Sequence, residues 1–99
     1  MLLIRKRFFD DIRSGRKRTT LRYWRHMRVR PGSVHTVPGL GRVRIEAVRA
    51  VEPDSLTDAE ARNDGFASAA DLHEALAEFY PPEKRRGRVL YEVRFTLLD

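Results

Sequence analysis

The chain reads as one α+β domain, residues 1–99, built on a small five-stranded, barrel-like β-sheet with about three short helices. Three observations predict this. Short segments alternate apolar and polar residues with a period of two, most clearly VLYEVRFTL, where Val89, Tyr91, Val93, Phe95 and Leu97 share one face. In RVRIEAVRAV the alternation of Val43, Ile45 and Ala47 slips by one residue to Val48 and Ala50, the mark of a β-bulge where a strand bends around a small barrel. No βαβ repeat of roughly 30 residues is present, which argues against a doubly wound fold. With 99 residues and 41% apolar content, the chain can fill one core but not two.

The expected order is strand, helix, three strands, two helices and a last strand. After the opening strand, FFDDIRSG reads as a short helix: Phe8 and Ile12 lie one turn apart, Asp10 and Asp11 suit the first turn, and Gly15 can close it in the left-handed region. RTTLR follows as a brief strand, then an irregular basic and aromatic loop, YWRHMRVRPGS, ending at a Pro31-Gly32 turn. SVHTV and RVRIEAVRAV pair across the turn PGLG. Thr57 and Glu60 form a capping box for a short helix that Gly65 ends. Ser68 caps AADLHEALAEFY, in which Leu72, Ala75, Leu76 and Phe79 recur at helical spacing and predict a buried stripe. Pro81 and Pro82 stop that helix, EKRRGR is a polar turn, and VLYEVRFTL completes the sheet.

Charge is strongly segregated within a formal net of +6. Residues 1–30 hold eleven Arg or Lys against Asp10 and Asp11, whereas residues 51–83 hold nine acids against Arg62. A basic surface suited to a polyanion is one consequence, and a well-solvated arginine-rich surface is the other. The absence of cysteine excludes disulfides and thiolate metal sites and fits a reducing compartment. No apolar run approaches the roughly 20 residues of a membrane span or the ~7–15 of a signal sequence, so a cytoplasmic protein with no membrane partner is expected. His26, His35 and His73 lack metal-ligand spacing; neither a metal nor another cofactor is expected. GLGR lacks the helix that a phosphate loop needs and reads as a turn.

The segment GRKRTTLR concentrates the candidate chemistry. Arg22 can present a planar fork to a phosphate or a base edge, and Lys17 a compact charge. On one continuous strand, positions 17 and 22 would face opposite sides, and only Thr20 and Arg22 would share a face. Lys17 must therefore reach a common site from the turn before the strand, or across a bulge. Tyr23, Trp24 and Arg25 follow, then His26, Arg28 and Arg30, an interleaving of rings and cations suited to single-stranded nucleic acid. The alternative for either ring is a place in the core.

These residues carry a resemblance. Gly15, Lys17 and Arg22 match the Gly-x-Lys-x-x-x-x-Arg signature of the ASCH domain, a branch of the PUA-like β-barrel superfamily. FFDDI before the motif, RPGS after the loop, LTDAEARNDGFAS leading into LHEALAEFYP, and the closing YEVRF follow in that family's order, so the likeness covers nearly the whole chain. The resemblance implies a cleft beside the barrel, lined by the signature segment, that binds RNA or a nucleotide-like ligand such as a modified nucleoside; together with the run of rings and cations this gives Lys17, Arg22, Tyr23, Trp24 and Arg25 as the expected contacts to single-stranded RNA. One branch of small members consists of amidohydrolases that deacetylate N-acetylcytidine, and another is associated with RNA cleavage as a ribonuclease. Matched to the amidohydrolase branch, Lys17 is the base, Thr20 the nucleophile or orienting hydroxyl, and Asp64 the acid in place of that branch's glutamate. Asp64 is one methylene shorter and stands beside Gly65, where a helix ending also accounts for it. RNA or nucleotide binding is the expected function; hydrolysis is the alternative.

Overall fold

The computed structural model describes residues 2–98. A four-stranded antiparallel sheet runs in the spatial order β1-β4-β3-β2, from β1 (Thr19–Trp24), β2 (Val34–Val37), β3 (Gly41–Ala50) and β4 (Val89–Leu97). Four short helices accompany it: α1 (Phe9–Arg13), α2 (Asp58–Asn63), α3 (Ala69–Phe79) and α4 (Pro82–Arg85). Among the described residues no helix is long and apolar enough to cross a membrane.

The expectation of a closed five-stranded barrel is corrected: the sheet is open, with β1 and β2 at its edges, and has four strands among the described residues. The missing strand is the one expected ahead of the first helix. Met1 lies outside the described residues, and residues 2–5 carry no strand pairing. Leu2 is 1% exposed and Ile4 packs beside it, so their apolar side chains fill core without their backbone joining the sheet. The Leu3 carbonyl accepts instead from the Arg22 guanidinium. Two further elements differ from expectation. Tyr23 and Trp24 belong to β1 rather than to a loop, and they pair with Leu90 and Val89. The expected polar turn after α3 contains α4, because a proline that cannot continue one helix is well suited to begin the next.

The bulge lies just before Ala47 rather than just after it, so Ala47, expected beside Ile45, is exposed on the opposite face. Ile45 pairs with Phe95 and Ala47 with Arg94, leaving Glu46 as the extra residue. That insertion keeps Val43, Ile45 and, beyond the bulge, Val48 on one face despite the broken alternation. The central strand β4 buries both faces. Val93 and Phe95 enter one apolar cluster with Phe9, Ile12, Val43 and Ile45. Leu90 enters a second cluster with Leu21, Tyr23 and the helix residues Ala61, Leu72 and Leu76.

Helix boundaries follow the side-chain signals. Thr57 and Glu60 form the reciprocal capping box, and the Ser68 hydroxyl accepts from the Asp71 amide. Leu72, Ala75 and Leu76 are buried and Phe79 is half-buried, so the α3 stripe faces inward as its spacing predicts. Arg49 then ties the layers together, donating to Glu92 of β4 at 2.9 Å and to Glu60 of α2 at 2.6 Å. Edge strand β1 is thereby flanked by the N-terminal segment on one side and α3 on the other.

Candidate functional site

Lys17 reaches the site from just before β1. Gly15 closes α1 at φ +83°, in the left-handed region that favours glycine, and its N–H donates to the Ile12 carbonyl at 3.1 Å. The chain then runs alongside the end of α2: the Lys17 amide donates to Asp11, the Arg18 amide to Asn63 at 2.6 Å, and Lys17 forms an isolated antiparallel bridge with Asp64. Next to Asp64, Gly65 has φ +93°, and a β-carbon there would lie 3.4 Å from the Lys17 β-carbon. That is ordinary van der Waals contact, so it is the left-handed φ of the turn that calls for glycine here.

The Lys17 side chain ends in a buried polar cluster. Its Nζ donates to the Asp64 carbonyl at 2.9 Å and lies 3.4 Å from Asp64 Oδ2. The Phe8 ring centroid is 4.8 Å from the same nitrogen, a cation–π contact in a dry setting. Thr19 Oγ1 donates to Asp64 Oδ1 at 3.0 Å. Lys17 and Asp64 are each only 4% exposed. Thr20 is also buried, and its hydroxyl accepts from Arg22 Nε at 3.2 Å. That bond and the contact to the Leu3 carbonyl hold the guanidinium at two points.

Burial dominates the ionisation of the pair. Desolvation pushes the Asp64 carboxyl up to about 6, against the opposing pull of Lys17 and the Thr19 hydrogen bond. Desolvation likewise lowers Lys17, assisted by nearby Arg22 and opposed by Asp64. Each group is therefore drawn toward its neutral form by loss of water, while the partner restrains the shift. Opposed shifts on a lysine and a carboxyl in contact mark the pair as a candidate site for proton transfer.

Lys17, Thr20, Arg22 and Asp64 line one cavity of about 390 Å³. The cavity opens beside the edge of β1, between the N-terminal segment and α3, with Phe8, Phe66 and Phe79 in its wall. Around it stand Arg5, Lys17, Arg22, Lys84 and Arg88, against Asp64 as the carboxylate. The remaining predicted residues lie elsewhere. Tyr23 is 6% exposed in the second core cluster, its ring 5.3 Å from that of Tyr80. Trp24 is half-buried against Tyr91, and Arg25 is exposed just beyond the strand. None of these three lines the cavity. Among the described residues no group of three or more His, Asp or Glu is placed to hold a metal ion.

Sequence reasoning missed Thr19, which orients the Asp64 carboxyl, and the aromatic wall. Thr19 was readable only as the neighbour of Thr20, since strand alternation gives no hint that both faces of β1 meet polar partners here. Phe8 and Phe79 were read as ordinary core periodicity; their contact with arginines is set by tertiary structure, with Arg5 4.3 Å from the Phe79 centroid and Arg7 4.9 Å from that of Phe8.

No protein-family model and no curated protein matches the chain. Solved structures do. The hypothetical protein PH0355 superposes with a TM-score of 0.80 at 16% identity, over 97% of this chain and 95% of that one. The ASCH domain from Lactobacillus crispatus JV V101 gives 0.74 at 19% identity, over 89% of this chain and 68% of its own. Protein PF0455 from Pyrococcus furiosus gives 0.70 at 20% identity, covering 98% and 94%. The chain thus has the fold of an ASCH domain.

The raised carboxyl makes a pH prediction with a definite sign. Asp64 binds its proton more tightly in the folded chain than in the unfolded one, so it favours the native state at low pH and that advantage is lost as pH rises from 3.8 to about 6. Carboxyl-carbon NMR should report an Asp64 midpoint near 6, and wild type should lose stability relative to Asp64→Asn across that window. A midpoint near 3.8 and parallel pH profiles are the contrary result.

Proposed function

We propose that the cavity beside β1 binds a nucleotide, free or at an unpaired position of RNA. The observation that carries this reading is the lining: five cationic side chains to one carboxylate, with phenylalanine rings in the wall. A nucleotide offers the complement, a planar base for the rings and a phosphate for the cations. The volume of about 390 Å³ falls in the range of roughly 300–1,000 Å³ typical of small-ligand sites. Arg22 is held by Thr20 and the Leu3 carbonyl, so little ordering remains to be done when an anion arrives. Lys17 and Arg22, the two cations of the signature, approach the cavity from different segments, which removes the objection raised by their spacing. The ASCH fold of the Lactobacillus crispatus neighbour supports the reading at the level of fold alone.

A second reading, hydrolysis of an acylated cytidine such as N-acetylcytidine, is favoured by the buried Lys17–Asp64 pair. In its neutral form the Lys17 amine takes the Thr20 hydroxyl proton as the oxygen attacks the acetyl carbon. Thr20 accepts from Arg22, which leaves its own proton to be given away and favours the developing negative charge on oxygen. As the tetrahedral intermediate collapses, the carbon–nitrogen bond breaks and the Asp64 carboxylic acid protonates the departing amine of cytidine. Water then attacks the acetyl–Thr20 ester and gives a proton to the Asp64 carboxylate; the bond from the acetyl carbon to the Thr20 oxygen breaks, acetate leaves, and the Lys17 ammonium returns its proton to the Thr20 oxygen. Thr19 presents Asp64 in one orientation throughout. The bridge between Lys17 and Asp64 keeps the shorter aspartate beside the amine.

Cytidine monophosphate binding, measured by calorimetry, tests the first reading. Arg22→Ala should weaken it about 10- to 150-fold, the worth of a charge-assisted hydrogen bond, while Arg44→Ala on β3 leaves it unchanged. Equal loss from both, or no binding to wild type, contradicts the assignment. Chromatography of N-acetylcytidine incubated with the protein tests the second. Wild type should release cytidine with a bell-shaped pH dependence, lost in acid where the Lys17–Asp64 pair carries two protons and in alkali where it carries none, and Lys17→Ala should release none. Product from Lys17→Ala at the wild-type rate removes the hydrolytic reading and leaves the binding one intact.

A further inference from the structure

We propose that the sheet face at Trp24 is a second subsite, an aromatic shelf on which the neighbouring base of a single-stranded RNA stacks while the cavity holds the first nucleotide; this rests on the nucleotide reading of the cavity. Strand register supplies the geometry. Arg22 pairs with Tyr91 and Trp24 with Val89, so all four side chains emerge from the same face of the β1–β4 ladder. The Trp24 and Tyr91 rings meet with centroids 5.8 Å apart and planes 37° apart, and both are half-buried. Val89 is 44% exposed beside Trp24, and Ala50, opposite Tyr91 on β3, is exposed as well.

Two residues along a strand advance about 7 Å, so the shelf begins one step beyond the Arg22 that lines the cavity. That step is within the reach of one sugar-phosphate link. Arg22 stands at the cavity side of the shelf, and Arg88, the residue before Val89, lines the cavity as well. Glu92 is turned to the opposite face, where it pairs with Leu21 across the ladder and binds Arg49. A lone exposed aliphatic residue means nothing. An aromatic pair beside an arginine and continuous with a cationic cavity is the composition that holds successive bases of a single strand. Continuity with the proposed nucleotide cavity is what favours RNA as the occupant of this face.

Trp24 is the only tryptophan of the chain, so its emission reports this face alone. The full chain is titrated with tetracytidylate and, separately, with cytidine monophosphate. Quenching should be saturable with the tetranucleotide and weak with the monophosphate. Because Trp24 also packs against the first core cluster, Trp24→Phe and Trp24→Leu replace alanine: both keep apolar volume, and only one keeps an aromatic face. Anisotropy of labelled tetracytidylate should show Trp24→Leu binding about 5- to 150-fold more weakly than wild type, with Trp24→Phe within a few-fold and monophosphate affinity unchanged in both. The shelf is overturned by tetracytidylate that fails to bind or binds without altering emission, or by equal affinities of the two variants. Quenching by tetracytidylate in a protein that does not bind the monophosphate discards the cavity reading and retains the shelf.

Discussion

Lys17 and Asp64 are buried side by side, and the geometry of the site depends on that juxtaposition. Removing an ammonium and a carboxylate from water is expensive, and their mutual attraction recovers the loss only when other hydrogen bonds complete the shell. Here the Asp64 carbonyl accepts from Nζ and the Thr19 hydroxyl donates to the carboxylate. The contact also has a topological consequence: Lys17 and Asp64 sit 47 residues apart, so their bridge pins the entry to β1 against the exit of α2. Glycine at position 65 permits the turn that brings Asp64 to Lys17, since any other residue would meet an unfavourable φ there.

From this anchor the cavity follows. An edge strand with an uncovered backbone invites pairing with other chains. In this fold β1 lies between the N-terminal segment and α3, and the gap along its edge is the cavity rather than another strand. Arg22 contributes by bonding the Leu3 carbonyl, doing for that segment what a strand partner would have done. The bulge at Glu46 keeps β3 packed against the first core cluster on both sides of the insertion, so the sheet curves without exposing Val48. Curvature, covered edge and buried pair together leave one concave region where cations and rings face each other.

The sequence made the local signals plain and the long-range ones obscure. The last strand, a bulge in β3, the capping box and the α3 stripe were all legible, because each depends on spacing within a dozen residues. The opening residues were misread as a strand, since Leu2 inward and Leu3 outward alternate as a strand does, and periodicity cannot tell whether backbone partners exist. Tyr23 and Trp24 looked like loop because cations surround them, yet strand pairing with Leu90 and Val89 overrides composition. For the site, the resemblance selected Lys17, Thr20, Arg22 and Asp64, and all four line the cavity. Thr19 and the aromatic wall were not selected, because their roles are set by residues distant in the chain.

A double-mutant cycle on Lys17→Met and Asp64→Asn, with unfolding free energies from urea titration at neutral pH, tests most directly whether this pair organises the site. Each single replacement strands one buried ionisable or polar group, so the pair should show a coupling of at least about 1 kcal/mol, with the double variant more stable than the two single effects predict. Effects that add to within about 0.3–0.5 kcal/mol would show that the two side chains do not act on each other, and the account built on their contact would fail.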